Sequence, residues 1–118
     1  MEALTRDDVP VTISNDDVEV RTSEVGDMTL SFIRLRKGTD LGPALVGLPG
    51  DLCPCPHWGY MLAGRLKMRT DQGDSTYDAG QAFYWAPGHA PVAVEDCAYV
   101  DFSPTVEFTR VLEHLSGG

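Results

Sequence analysis

Two stretches carry most of the structural information in this chain: Pro49-Gly50 followed by His57-Trp-Gly-Tyr-Met-Leu-Ala-Gly64, and Gly80-Gln-Ala-Phe-Tyr-Trp-Ala-Pro-Gly88-His89. Each is a short run of apolar and aromatic residues closed off by glycine or proline, which is how a strand between two turns is written. The same grammar extends in both directions. Val18–Thr22 alternates like an edge strand. Met28–Arg36 is a longer strand in which Leu30 falls on the opposite parity to Ile33 and Leu35, a mismatch that predicts a bulge near Phe32. Ala44–Leu48 is a short apolar run between two prolines. Trp58–Leu62 and Leu66–Thr70 are strands meeting at Gly64, and Asp71-Gln-Gly-Asp74 is a tight turn leading into Ser75–Asp78. Gln81–Ala86, Pro91–Val94 and Cys97–Phe102 bring the count to about nine or ten strands.

Only the tail has helical spacing. Phe108, Val111, Leu112 and Leu115 fall at i, i+3, i+4 and i+7, Ser103 stands at the cap position and Pro104 at the first turn. Twelve glycines and eight prolines spread over 118 residues fit many short strands and oppose a helical bundle. The expected organisation is a loosely held segment over 1–16, an all-β body over 17–103 and a helix over 104–116 packed on it.

Composition narrows the function classes. Eighteen acids against nine bases leave a net charge of −9, which opposes binding to nucleic acid or to an anionic membrane surface. No apolar run approaches the roughly 20 residues that span a bilayer. The start of the chain lacks the basic flank and apolar core of an export signal, and three cysteines is an odd number for a disulfide framework. A reduced, cytoplasmic setting is expected.

The two quoted stretches resemble the motifs of the cupins. Cupins are small jelly-roll β-barrels whose first motif runs Gly, five residues, His-x-His, three or four residues, Glu, six residues, Gly, and whose second runs Gly, five residues, Pro-x-Gly, two residues, His. The resemblance covers roughly residues 40–102 and implies a cupin-like jelly-roll β-barrel with a short C-terminal helix. His57 stands where the motif has its Glu, Cys53 and Asp51 where it has the His-x-His pair, and Ala86 replaces its proline. Pro91 occupies the last His position, with His89 two residues earlier. The family's usual three-His, one-Glu metal shell is therefore absent, and any metal here has a different one. By resemblance, single-domain cupins include oxygenases, isomerases and metal-assisted lyases, and they commonly dimerise.

The candidate site follows from these residues. In Cys53-Pro-Cys55-Pro-His57 all three side chains share a parity, with neighbours on one face about 6–7 Å apart. Cys53 and His57 are about 13 Å apart on a straight path, so they share an ion only if the chain curves. Cys53, Cys55, His57 and His89 are the candidate metal ligands, and such soft or borderline donors suit zinc, iron or nickel over magnesium. Without metal, His57 and His89 are candidate acid and base for a carbonyl substrate. Met61, Phe83 and Trp85 share the inward parity and are candidate lining for a small-molecule pocket; Trp58 and Tyr60 face the other way, toward a second subunit or the tail helix.

His114 complements the dipole of the tail helix. Arg65, Lys67 and Arg69 alternate with Leu66 and Met68. If the alternation flips at Gly64, the cations form an outward stripe that balances local acids or meets an acidic partner. Two functions follow: a small-molecule-binding protein with a transition metal at His57, doing oxygenase, isomerase or lyase chemistry, or a metal-free sensor or binding module.

Overall fold

The computed structural model describes residues 1–117. Nine strands are present among the described residues: β1 (Val11–Ser14), β2 (Val18–Val25), β3 (Met28–Leu35), β4 (His57–Ala63), β5 (Arg65–Thr70), β6 (Gly73–Asp78), β7 (Ala82–Trp85), β8 (Ala90–Ala93) and β9 (Cys97–Pro104). Two helices accompany them, the single turn α1 (Gly42–Leu45) and α2 (Thr105–Leu115). Among the described residues, no helix is long and apolar enough to cross a membrane.

The strands form two antiparallel sheets, β1-β2-β3-β9-β4-β7 and β6-β5-β8. The all-β jelly-roll expectation holds, but the sheets are not hydrogen-bonded into a closed barrel. Their inward faces meet across a core of Val20, Ile33, Leu35, Met61, Leu66 and Trp85, among others. A second cluster, built from Leu45, Cys53, Cys55, Ala90, Phe108 and Val111, seals one end under α2.

At Gly64 the alternation does flip, which the sequence left open. Gly64 sits at φ +76°, where a Cβ would run into the carbonyl oxygen of Asp96, and it reverses the alternation between β4 and β5. His57 and Met61 therefore face inward on β4, while Leu66 and Met68 do so on β5. The cations of β5 are left outside and paired: Arg65 with Asp78 at 2.7 Å, Arg69 with Asp40 at 2.6 Å and Lys67 with Asp74 at 4.0 Å. The stripe balances local acids.

Four expectations are corrected. β2 is not an edge strand, because β1 pairs along its outer side and takes that place. No bulge occurs near Phe32: β3 pairs in unbroken register with both β2 and β9. Leu30 is buried on the outer face because the chain start packs there, with Leu4, Leu30, Phe32 and Phe102 around one hollow. Of the run Ala44–Leu48, Ala44 and Leu45 belong to the turn α1, with Pro43 in its first turn, and Val46 and Leu48 form an isolated bridge. Ser103 does not cap α2. The cap position belongs to Pro104, and the Ser103 side chain is used elsewhere.

Candidate metal and ligand site

The chain from Cys53 to His57 does not run straight. Cys53 N–H donates to the carbonyl of His89 at 2.8 Å, and Gly88 N–H donates to the carbonyl of Cys53 at 2.8 Å. Main-chain bonds thus clamp Cys53 beside His89, which follows the left-handed Gly88 (φ +94°). From that clamp the chain curves back to start β4 at His57. Cys53 Sγ ends 3.6 Å from His57 Nε2, and the donor atoms of Cys53, His57 and His89 all lie within 4.8 Å of one another. All three residues are buried.

Each ring is fixed by its other nitrogen. His89 Nδ1–H donates to the carbonyl of Ala86 at 2.7 Å, which leaves Nε2 with a free lone pair. His57 Nδ1 lies 2.6 Å from Ser103 Oγ; in the tautomer that donates Nδ1–H to Ser103, its Nε2 is free as well. This is the outer support that orients metal-ligating histidines. Burial lowers the pKa of both rings, His57 to about 3 with the nearby His89 adding to the effect, so both are neutral at pH 7. Burial also pushes the Cys53 thiol up to about 11.

The donor set fits a transition metal. Donors at about 2.3 Å (sulfur) and about 2.0 Å (nitrogen) from one tetrahedral ion stand about 3.5 Å apart, and Cys53 Sγ and His57 Nε2 are 3.6 Å apart. The thiolate that an ion requires would form as it displaces the thiol proton. Cys55 is not part of this set. It is fully buried, but its thiol donates to the carbonyl of Pro56 at 3.4 Å, because the curve that brings Cys53 to His57 turns the residue between them away.

A cavity of about 140 Å³ opens on the three donors. Trp85 is on its wall, as the parity predicted. Met61 and Phe83 are not; both are packed in the core, Phe83 stacked on Trp85 with centroids 3.6 Å apart. Gly59 makes room for Phe83, since a Cβ there would meet the ring. Phe108, Val111, Leu112 and Leu115 of α2 roof the cavity, and His114 Nε2 bonds the carbonyl of Val46 at 2.9 Å, tying α2 to the segment after α1.

Two residues of the site escaped sequence reading. Asp101 is 1% exposed, lines the cavity and places Oδ2 3.8 Å from His57 Nδ1. Burial pushes its carboxyl up to about 8, against a smaller opposing effect of Ser31. Ser103, fully buried, holds His57. The signal was present in β9: Cys97, Tyr99, Asp101 and Ser103 share one parity, and the first two are plainly core-facing.

Comparison with known proteins agrees with this architecture. No protein-family model matches the chain, and no curated protein matches it. Solved structures do. KdgF from Halomonas sp. superposes with a TM-score of 0.61 at 21% identity, covering 85% of this chain and 92% of that one. An RmlC-like cupin from Shewanella frigidimarina gives 0.61 at 15% identity over 86% and 88%. The fold is a cupin fold. Ectoine synthase from P. lautus shares it with a TM-score of 0.58 at 12% identity, covering 78% of this chain and 67% of that one. At these identities the cupin likeness speaks for the fold alone, and the chemistry rests on the residues just described.

Proposed function

We propose that this cupin-fold protein holds a divalent transition metal, zinc, iron or nickel, on Cys53, His57 and His89 and binds a small organic molecule beside it. The observation that carries the reading is the convergence of three buried donors, each imidazole braced through Nδ1. Three protein ligands leave a coordination position open, the arrangement of catalytic metals, and a bound metal would supply Lewis-acid or redox chemistry of the oxygenase, isomerase or lyase kind. Within the chain, Ser103 and Ala86 orient the rings, and Trp85 and the α2 roof exclude water. The rival is a metal-free binding module, in which the Cys53 thiol simply donates to His57 Nε2. Acid–base catalysis by His57 without metal is disfavoured, since a ring titrating near 3 is a poor proton donor at pH 7.

The test is metal analysis of purified protein after reconstitution, wild type beside His57→Ala and Cys53→Ser. Near-stoichiometric metal in the wild type, with at least about tenfold weaker retention in the variants, supports the metal centre. Absence of stoichiometric metal from all three leaves the binding module.

We further propose that two copies pair through the outer face of the larger sheet. Tyr84, Trp58 and Phe102 sit side by side across β7, β4 and β9, with Tyr60 and Leu62 next along β4; each is 42–53% exposed. Half-exposed side chains of this size present about 100 Å² apiece. Five of them approach the largest apolar patches monomers carry and supply much of the roughly 800 Å² per partner of a stable pair. The three free, buried cysteines suit the reducing cytoplasm, where we place the protein.

A further inference from the structure

The wall of the cavity changes along its depth. Cys53, His57 and His89 are buried, and so are Ile33, Met68 and Val111 on the same wall. Ile13, Val18, Leu41, Leu112 and Leu115 also line it but are only partly buried. These five come from β1, β2, the residues before α1, and α2, so the packing of no single element explains why they meet. The cavity thus has a buried end that holds the donors and an outer end ringed by aliphatic side chains. Aliphatic groups left partly open to water around a concavity mark a site for an apolar ligand. The same ring bars a hydrated ion, which would have to shed its water against hydrocarbon.

From this we infer that the ligand is an uncharged aliphatic chain with a single polar head, the head at Cys53, His57 and His89 and the tail running outward through the ring of Ile13, Val18, Leu41, Leu112 and Leu115. The wall gives a charged or many-hydroxyl molecule little to hold. No lysine or arginine lines it. Asp101 stands opposite Ser31 across the β3–β9 pair and is 1% exposed, and the side-chain oxygen of Asn15 is taken by the main-chain N–H groups of Asp17 and Val18. Each extra hydroxyl that lost its water here would weaken binding about tenfold. Size sets how much of the tail is enclosed. A dry cavity of about 150 Å³ takes benzene, so about 140 Å³ encloses roughly six heavy atoms, and further methylenes emerge at the ring. The inference rests on the small-molecule half of the proposed function and is independent of the ion.

Three probes of equal heavy-atom count separate the ligand classes: heptan-1-ol (neutral chain, one head), hexanoate (charged head) and erythritol (polyol). They are titrated into the full chain, chelator-treated and metal-loaded in parallel. The chain's two isoleucines both line the cavity, Ile13 in the ring and Ile33 buried, so methyl-labelled isoleucine reports the two ends separately, and an Ile13→Val variant assigns the signals. Heptan-1-ol is expected to move both signals and to bind the chelated protein at least about tenfold more tightly than hexanoate or erythritol. Across the alcohols from propan-1-ol to hexan-1-ol, affinity should rise about fourfold per methylene and flatten beyond that length. Leu112→Lys, which sets a cation in the ring, should bring hexanoate within about threefold of heptan-1-ol. Hexanoate or erythritol binding the chelated wild type as tightly as heptan-1-ol, affinity independent of chain length, or an unmoved Ile33 signal overturns the inference. The wild-type series decides the matter even if a variant fails to fold. Metal content is read separately: alcohol selectivity without metal retires the metal centre alone, stoichiometric metal without that selectivity retires this inference alone, and tight binding of erythritol retires this inference while leaving a small-molecule site.

Discussion

The imidazole of His57 is held from several sides. Ser103 holds one nitrogen at 2.6 Å, Cys53 approaches the other, and the rings of Trp85, His89 and Phe108 surround it with centroids 5.0–6.3 Å away. Removing the brace should loosen the ligand without removing it. Ser103→Ala is expected to weaken metal retention about 10–100-fold in a chelator competition, with little change in secondary structure. Asp101 gives a pH signature of known sign. Its carboxyl keeps its proton up to about 8 when folded, against an ordinary 3.8, so the folded state binds more protons between those values and stability falls as pH rises through them. His57, lowered from 6.5 to about 3, acts in the opposite direction but only below 6.5. Chelated protein should therefore lose stability between pH 6.5 and 8, by up to about 1.4 kcal/mol per pH unit. Asp101→Asn should be nearly flat there when urea midpoints are compared. Cys53, His57 and His89 were readable because motif spacing and parity point at them. Asp101 and Ser103 were not, since they lie on β9 outside any motif, and Ser103 next to Pro104 reads as a helix cap.

Elements were legible where glycine and alternation act together. β4, the reversal at Gly64 and β5 follow from their residues, because a left-handed position against the Asp96 carbonyl admits only glycine and the parity of Leu66 and Met68 then has one solution. Gly64→Ala is expected to cost about 1–3 kcal/mol, measured as a shift of the denaturant midpoint. Where burial came from a distant segment, the pattern misled. Leu30 is buried by the chain start, and the curve from Cys53 to His57 depends on main-chain bonds to residues 88 and 89. Neither contact is local, so no window of sequence contains it.

On the outer faces of the two sheets, the paired charges of β5 and the aromatic row of β7, β4 and β9 are kept apart. The cations of β5 are matched by acids on β6 and in the loop before α1, while the row Tyr84, Trp58, Phe102 carries no charge. Trp58→Glu combined with Tyr84→Lys is expected to shift the protein from two copies to one in size-exclusion light scattering, with circular dichroism unchanged. A wild type that is already monomeric at high concentration would reject the pairing.

The roof over the cavity has a consequence for synthesis. Every strand precedes α2 in the chain, so during translation the three donors can gather in a basin that still stands open to water. An ion captured then would afterwards be sealed beneath Phe108 and Val111. Its later turnover would then be timed by how often that last helix lifts, and not by the strength of the coordinate bonds alone.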